Sequence, residues 1–254
     1  MIIKKILITL SILLFTSCKS SIANYYFQKI GVFDNKIKLE TLTNNNKEIV
    51  LFGMHHIGKE EFYNDVKSKV DSLIKKDYFF YVEGINSQFS GKTNLTKEDS
   101  ILLIDLAYKF RKISGGPFIS KKLNSDYLTL FKEKGIKIKE NLIKQPKYKE
   151  FGLSEINSKN TDLSLEKILE NYENKYGKVI LESCDYDTEF HNESTCSKKP
   201  DKKIYDEMMM RDRNNSVISH ILNEKKTKIA IIYGKAHFVE IKDSLQKLGY
   251  KIAL

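Results

Sequence analysis

The sequence predicts an α/β domain: a central, mixed but largely parallel sheet flanked by helices. Three observations predict it. Short runs of β-formers recur along the chain and are apolar at nearly every position, as in strands covered on both faces. Between them lie segments whose apolar residues fall at helical spacing. The two kinds of segment alternate, which is the order of a sheet layered between helices. With 254 residues, 41% of them hydrophobic, the chain is long enough to bury a sizeable core in one domain.

The N-terminal MIIKKILITLSILLFTSC reads as a targeting signal. Lys4 and Lys5 form a basic start, and Ile6 to Phe15 is an apolar run of roughly ten residues, where a bilayer span needs about twenty. Phe15-Thr16-Ser17-Cys18 is similar to a bacterial lipobox, with cleavage before Cys18 and lipidation of its thiol. An ordinary secretory signal is the alternative, and either exports the chain. Residues 1–17 are thus a signal peptide, 18–35 a tether and 36–254 a single domain. Lys19 after the cysteine points, by analogy, to the outer membrane of a two-membrane envelope.

Strands are predicted at 49–53, 78–83, 136–139, 179–181, 229–234 and 250–254. In EEFYNDVKSKVDSLIKK, Phe62, Val66, Val70, Leu73 and Ile74 make one helical stripe. Thr96 with Asp99 opens a helix that runs to about Ile113 and stops at Gly115-Gly116-Pro117. Ile241, Leu245 and Leu248 mark a short helix before Gly249. In KKIYDEMMMRDRNNSVISHIL the stripe Ile204, Met208, Ile218, Leu222 passes through Arg211 and Asn215, which places Arg211 toward the core and Arg213 nearly opposite.

Two cysteines follow the signal, Cys184 and Cys196, and an exported pair at this spacing is expected to form a disulfide. The loop between them also holds Asp185, Asp187, Glu189 and His191, so a metal-binding loop is the alternative, although no zinc spacing is matched. The net charge of +10 is spread along the chain as solvated surface; no nucleic-acid motif is visible and no nucleic-acid partner is expected.

The chemistry points to two similar segments, IVLFGMHHIG and IAIIYGKAHF. Each is a β-run ending at a glycine, Gly53 or Gly234, with a histidine three residues on, His56 or His237. Glu83 closes a third run, YFFYVEG. Ligands of α/β sheets bind beyond the carboxyl ends of the strands. Two imidazoles and a carboxylate there can make an open divalent-metal site, with His56, Glu83 and His237 as ligands. His55, Gly53, Gly234 and Asn215 would support it. Arg211 would hold a substrate carboxylate or an oxyanion, a structural ion pair being its alternative.

GMHH, YVEG, MRDRN and YGKAH, in that order over residues 46–254, resemble the pattern of the TraB/PrgY/GumN superfamily, which includes the Tiki proteins. HFVEIKDSLQKLGYKI is similar to its ending and NTDLSLEKI to a further element, while Met210 and most of 141–203 depart from the pattern. The resemblance implies the sheet fold shared with erythromycin esterases and the haem-binding ChaN lipoproteins. It implies a divalent-metal-dependent hydrolase, most nearly a peptidase, using Mn, Co or Zn with Glu83 as ligand or base. The partners would be a peptide or small-molecule substrate and, through the lipid, a membrane. The competing expectation is a binding lipoprotein that sequesters a peptide or haem without turnover.

Overall fold

A computed structural model of the chain describes residues 19–116, 127–192, 194–196 and 200–253. Residues 1–18, with the predicted signal and Cys18, and Pro117 lie outside the described residues. The fold is α/β, as the sequence predicts. A six-stranded mixed sheet has the order β6-β4-β7-β2-β1-β8, from strands β1 (Leu39–Thr43), β2 (Glu48–Met54), β4 (Phe79–Val82), β6 (Ser158–Asn160), β7 (Lys228–Gly234) and β8 (Lys251–Ile252). The four strands β6, β4, β7 and β2 run parallel; β1 and β8 are antiparallel additions at one side. β3 (Ile57–Gly58) and β5 (Ile143–Lys144) form a separate antiparallel pair.

Both faces of β2, β4 and β7 are buried, which explains their apolar runs. Val50, Phe52, Phe80, Val82, Ala230 and Ile232 meet Phe62, Val66, Val70 and Leu73 of helix α2 (Glu60–Ile74), the helix of the predicted stripe. The alternate residues Ile49, Leu51, Tyr81, Ile229, Ile231 and Tyr233 meet helices on the other face, with residues 19–30 counted as α1, Lys97–Ser114 as α3, Tyr127–Glu133 as α4, Leu165–Tyr176 as α5, Lys202–Asp206 as α6, Asp212–Asn223 as α7 and Phe238–Lys247 as α8. The helices on that face are α7, through Val217 and Ile221, and α8, through Phe238, Ile241 and Leu245. α3 begins as predicted: Thr96 Oγ1 accepts the Asp99 N–H at 3.0 Å. It ends at Gly115, whose φ of 72° places it in the left-handed region that glycine enters freely.

Several expectations are corrected. The segment 18–35 is no loose tether: residues 19–30 are helical, and Val32 and Phe33 are buried in a cluster with Ile57 and Leu142. Residues 136–139 alternate Ile and Lys like a strand, yet the backbone of Lys137 and Lys139 bonds to α1 and the Ile136 N–H to the Phe131 carbonyl. Asn24 accepts the Lys139 N–H at 2.8 Å and donates to the Lys137 carbonyl at 2.8 Å. Residues 179–181 are also not a strand; Val179 packs instead against α3 and α5. Leu222 and Leu248, placed on core stripes, are 59% and 41% exposed.

Cys184 and Cys196 form the expected disulfide. It closes a loop around Arg111, which is 1% exposed and donates to the carbonyls of Asp185, Glu189 and Asn192 and to Thr188 Oγ1. Cys184→Ala with Cys196→Ala should therefore cost about 3 kcal/mol through the unfolded chain alone. A urea midpoint unchanged in the double variant would show the loop is held by Arg111 without the bond.

Candidate active site

Because β2, β4, β6 and β7 are parallel, their carboxyl ends share one edge, and the residues following them converge there. β4 delivers Glu83, whose N–H still bonds to Ile232 of β7 at 3.2 Å. β6 delivers Thr161 and Asp162. β7 ends at Gly234 and coils through a 3-10 turn, Lys235–His237, into α8. That turn carries His237 inward, to 4% exposure.

Glu83 is the centre of the cluster. Its Oε1 accepts from Arg213 Nη2 at 2.7 Å and lies 3.2 Å from His237 Nε2. Its Oε2 accepts the Gly234 N–H at 2.5 Å. A Cβ at Gly234 would sit 3.2 Å from that oxygen, so the glycine permits the close approach. Burial by itself would raise the Glu83 pKa. The bond to His237, the Arg213 charge and the Gly234 N–H outweigh burial and hold the carboxyl at about 2.

Arg213 joins two carboxylates. Its Nε and Nη2 donate to Asp162 Oδ1 and Oδ2 at 2.8 and 2.6 Å, and its Nη1 donates to the Met209 carbonyl at 3.0 Å. Asp162 is itself fixed by the Gly84 and Leu163 N–H groups, at 3.0 and 2.8 Å. Burial alone would lower the Arg213 pKa, but Asp162 and Glu83 raise it further, so the guanidinium stays charged. Tyr148, half-buried beside the cluster, bonds to the Glu83 backbone and to Gln145, and the burial of its phenol pushes the pKa up, keeping its proton.

His237 is oriented by a second chain of bonds. Asn214 Nδ2 donates to Glu240 Oε2 at 2.7 Å, which leaves Asn214 Oδ1 to accept from His237 Nδ1 at 2.7 Å. That leaves Nε2 facing Glu83 Oε1 at 3.2 Å: protonated, it donates to the carboxylate; deprotonated, the two can share a cation. Glu83, Asp162 and Arg213 together carry one net negative charge, which a proton on Nε2 or a bound cation would balance.

The predicted site is thus partly assembled. Glu83, Gly234 and His237 meet. His56 does not join them: it is exposed, because the chain beyond Gly53 stays extended into β3, where Gln145 N–H bonds to the His56 carbonyl at 2.9 Å. Glu83 and His237 approach each other, but with His56 they do not form a trio whose ligand atoms all lie within 4.8 Å. Among the described residues the one trio that close is Cys184, Asp185 and Cys196, which could hold a metal only with free thiols, and these are joined in the disulfide. His55 is half-buried; burial first, then Lys235, lowers its pKa to about 4. Gly53 lies under Lys235, whose Cγ a Cβ there would meet at 3.2 Å.

Arg211 and Asn215 are corrected outright. Both are exposed, Arg211 only 3.9 Å from Glu207 on the surface, while their neighbours Arg213 and Asn214 occupy the site. The cause is a π turn, Glu207–Arg211, between α6 and α7. It adds one residue to the turn, so the buried stripe steps from Met208 to Arg213 and continues through Val217 and Ile221. Sequence reasoning also missed Asp162, Asn214 and Tyr148. Only Asp162 had a signal, lying in the NTDLSLEKI segment.

No protein-family model, no curated protein and no solved structure matches this chain.

Proposed function

We propose that the chain is a lipid-anchored, divalent-metal-dependent hydrolase acting on peptides, with its centre at His237 and Glu83. The observation that carries the reading is the His237 imidazole. Its Nδ1 is held by the Asn214 carbonyl oxygen, and its Nε2 lies 3.2 Å from a carboxylate, in the geometry of a ligating imidazole beside an anionic partner. Such outer hydrogen bonding is the arrangement that orients and sharpens a metal-ligating histidine. Imidazole and carboxylate suit Mn, Co or Zn.

A bound divalent ion would polarise the scissile carbonyl and acidify a water. The chain's own groups divide the remaining work. Glu83, its pKa held at about 2 by its partners, is anionic at physiological pH and is available as a metal ligand. Arg213 and the Gly234 N–H fix its two oxygens. Arg213, and not Arg211, is the arginine of the MRDRN segment that belongs to the site. The peptide substrate, the sheet family and the envelope location come from the resemblance to the TraB/PrgY/GumN pattern and from the lipobox.

A second reading has its own support. Both Glu83 oxygens are already engaged, which suits a lipoprotein that binds a peptide or haem without turnover. Metal analysis of the mature chain, followed by incubation with a peptide library with and without chelator, separates the two. The hydrolase reading expects bound Mn, Co or Zn that His237→Ala and Glu83→Gln each remove, and new peptide termini only with metal. Metal content unmoved by His237→Ala overturns the site; retained metal with no new termini favours the binder.

A further inference from the structure

α1 has two unlike faces. The inner one, Ser20, Ala23, Asn24, Phe27 and Ile30, docks on the body: Ser20 Oγ accepts the Lys137 N–H at 2.9 Å, Asn24 brackets residues 137–139, and Phe27 packs edge-on to Phe33 and Phe131. The outer face shows Ile22, Tyr25 and Tyr26, at 63%, 71% and 58% exposure, followed by Lys29. These positions are spaced as i, i+3, i+4 and i+7, so they form one stripe. Exposed apolar residues are ordinary when scattered. Here three large ones adjoin on a short helix that is otherwise tightly held.

The surroundings say what the stripe meets. Lys132, Lys134, Lys137 and Lys139 are exposed on the segment to which α1 docks, and Lys19 and Lys29 lie on the helix itself. Of the acids nearby, Glu140 is paired with Lys59 at 3.2 Å and Glu133 is exposed. Cationic side chains on the helix and on the segment beneath it, together with tyrosines whose rings have an apolar body and a polar tip, fit the headgroup layer of an anionic bilayer. Cys18 immediately precedes Lys19, so an acyl chain on its thiol would begin one residue from the helix.

We propose that α1 is an interfacial helix that lies flat on an anionic membrane, with Ile22, Tyr25 and Tyr26 among the headgroups and the lysines against the phosphates. The geometry extends the lipid-anchor reading above. It also ties the site to the bilayer, because Lys235, in the turn that carries His237, donates to the Ile30 carbonyl at 3.0 Å. The catalytic edge then stands at a set distance from the surface, and the substrate is one presented there.

The chain has no tryptophan, so Tyr25→Trp supplies a sole indole reporter. The mature protein carrying it is mixed with vesicles of phosphatidylglycerol or phosphatidylcholine with brominated acyl chains. The expected result is blue-shifted, quenched emission in phosphatidylglycerol and a smaller change in phosphatidylcholine. Ile156→Trp, at a position 91% exposed and away from α1, should be unaffected. Adding Lys134→Glu and Lys137→Glu should abolish the difference between the two lipids. Flotation and the mass of the N-terminal peptide read the anchor separately. An acylated chain that floats while the indole at position 25 stays water-like overturns the proposal and leaves the anchor standing. An unacylated chain whose indole is still quenched supports the helix and removes the anchor. A concentration-dependent blue shift without vesicles assigns the stripe to a second copy of the chain and overturns the membrane reading.

Discussion

Arg213→Met is expected to lower the unfolding free energy by about 3–5 kcal/mol, the cost of stranding buried charge when one partner of an ion pair is removed. Methionine keeps much of the stem's volume, so the loss is electrostatic rather than a cavity effect. Asp162, with a side-chain exposure of 0%, and Glu83, at 16%, would be left facing each other. Arg213→Lys should fall between the variant and the native chain, since one ammonium cannot bridge two carboxylates as the guanidinium fork does. Arg211→Met is the control: its side chain is 55% exposed and its pair with Glu207 is a surface contact, worth under about 1 kcal/mol. Urea unfolding of the three variants checks this. If Arg211→Met proved as costly as Arg213→Met, the π turn would be misplaced and the site with it.

The metal-free protein, kept in chelator, should lose stability to acid in two steps. His55 has its pKa lowered from 6.5 to about 4, so the unfolded chain takes up its proton first as pH falls. The contribution is present above about 6.5 and is lost as the pH falls to about 4. Glu83 follows. Its folded value of about 2 lies below the ordinary 4.5, so its stabilisation is complete above about 5 and drains away toward pH 2. The two shifts are equal in size, each corresponding to about 3 kcal/mol, so the two steps should be comparable. His55→Gln should flatten the upper part of the profile and Glu83→Gln the lower. A Glu83→Gln protein with the native slope below pH 4.5 would show that the Arg213 and His237 contacts do not form in solution.

The parts of the fold legible in the sequence were those where burial alone decides. β2, β4 and β7 are covered on both faces and had to be apolar throughout, and Glu83 and Gly234 follow as the residues at which apolar runs stop. β1 and β6, LETLT and SKN, are held by ladder bonds to a neighbour and have no apolar run to betray them. Residues 136–139 look like a strand because their backbone is bracketed, but the partner is the Asn24 side chain, which no periodicity reveals. The two Gly-x-x-His segments read alike and fold differently: one chain end stays extended into β3, the other coils into a helix. The π turn is the sharpest case. One residue of extra turn exchanges Arg211 for Arg213 and Asn215 for Asn214, and nothing local in EMMMR distinguishes it from an ordinary helix.

The placement of β7 has a consequence for the order of events during synthesis. It lies between β2 and β4, which are near neighbours in the chain but never pair with each other. The strand that joins them belongs to the last part of the chain, pairing Glu48 with Lys228 and Phe79 with Ile229. Contacts so distant in sequence form slowly, because long loops must close before any pairing is gained. Until the C-terminal stretch is delivered, the sheet has no centre, and neither does the site, since His237 arrives with β7. The chain therefore stays open through most of its synthesis, and the cluster of Glu83, Arg213 and His237 forms only once the last part of the chain is in place.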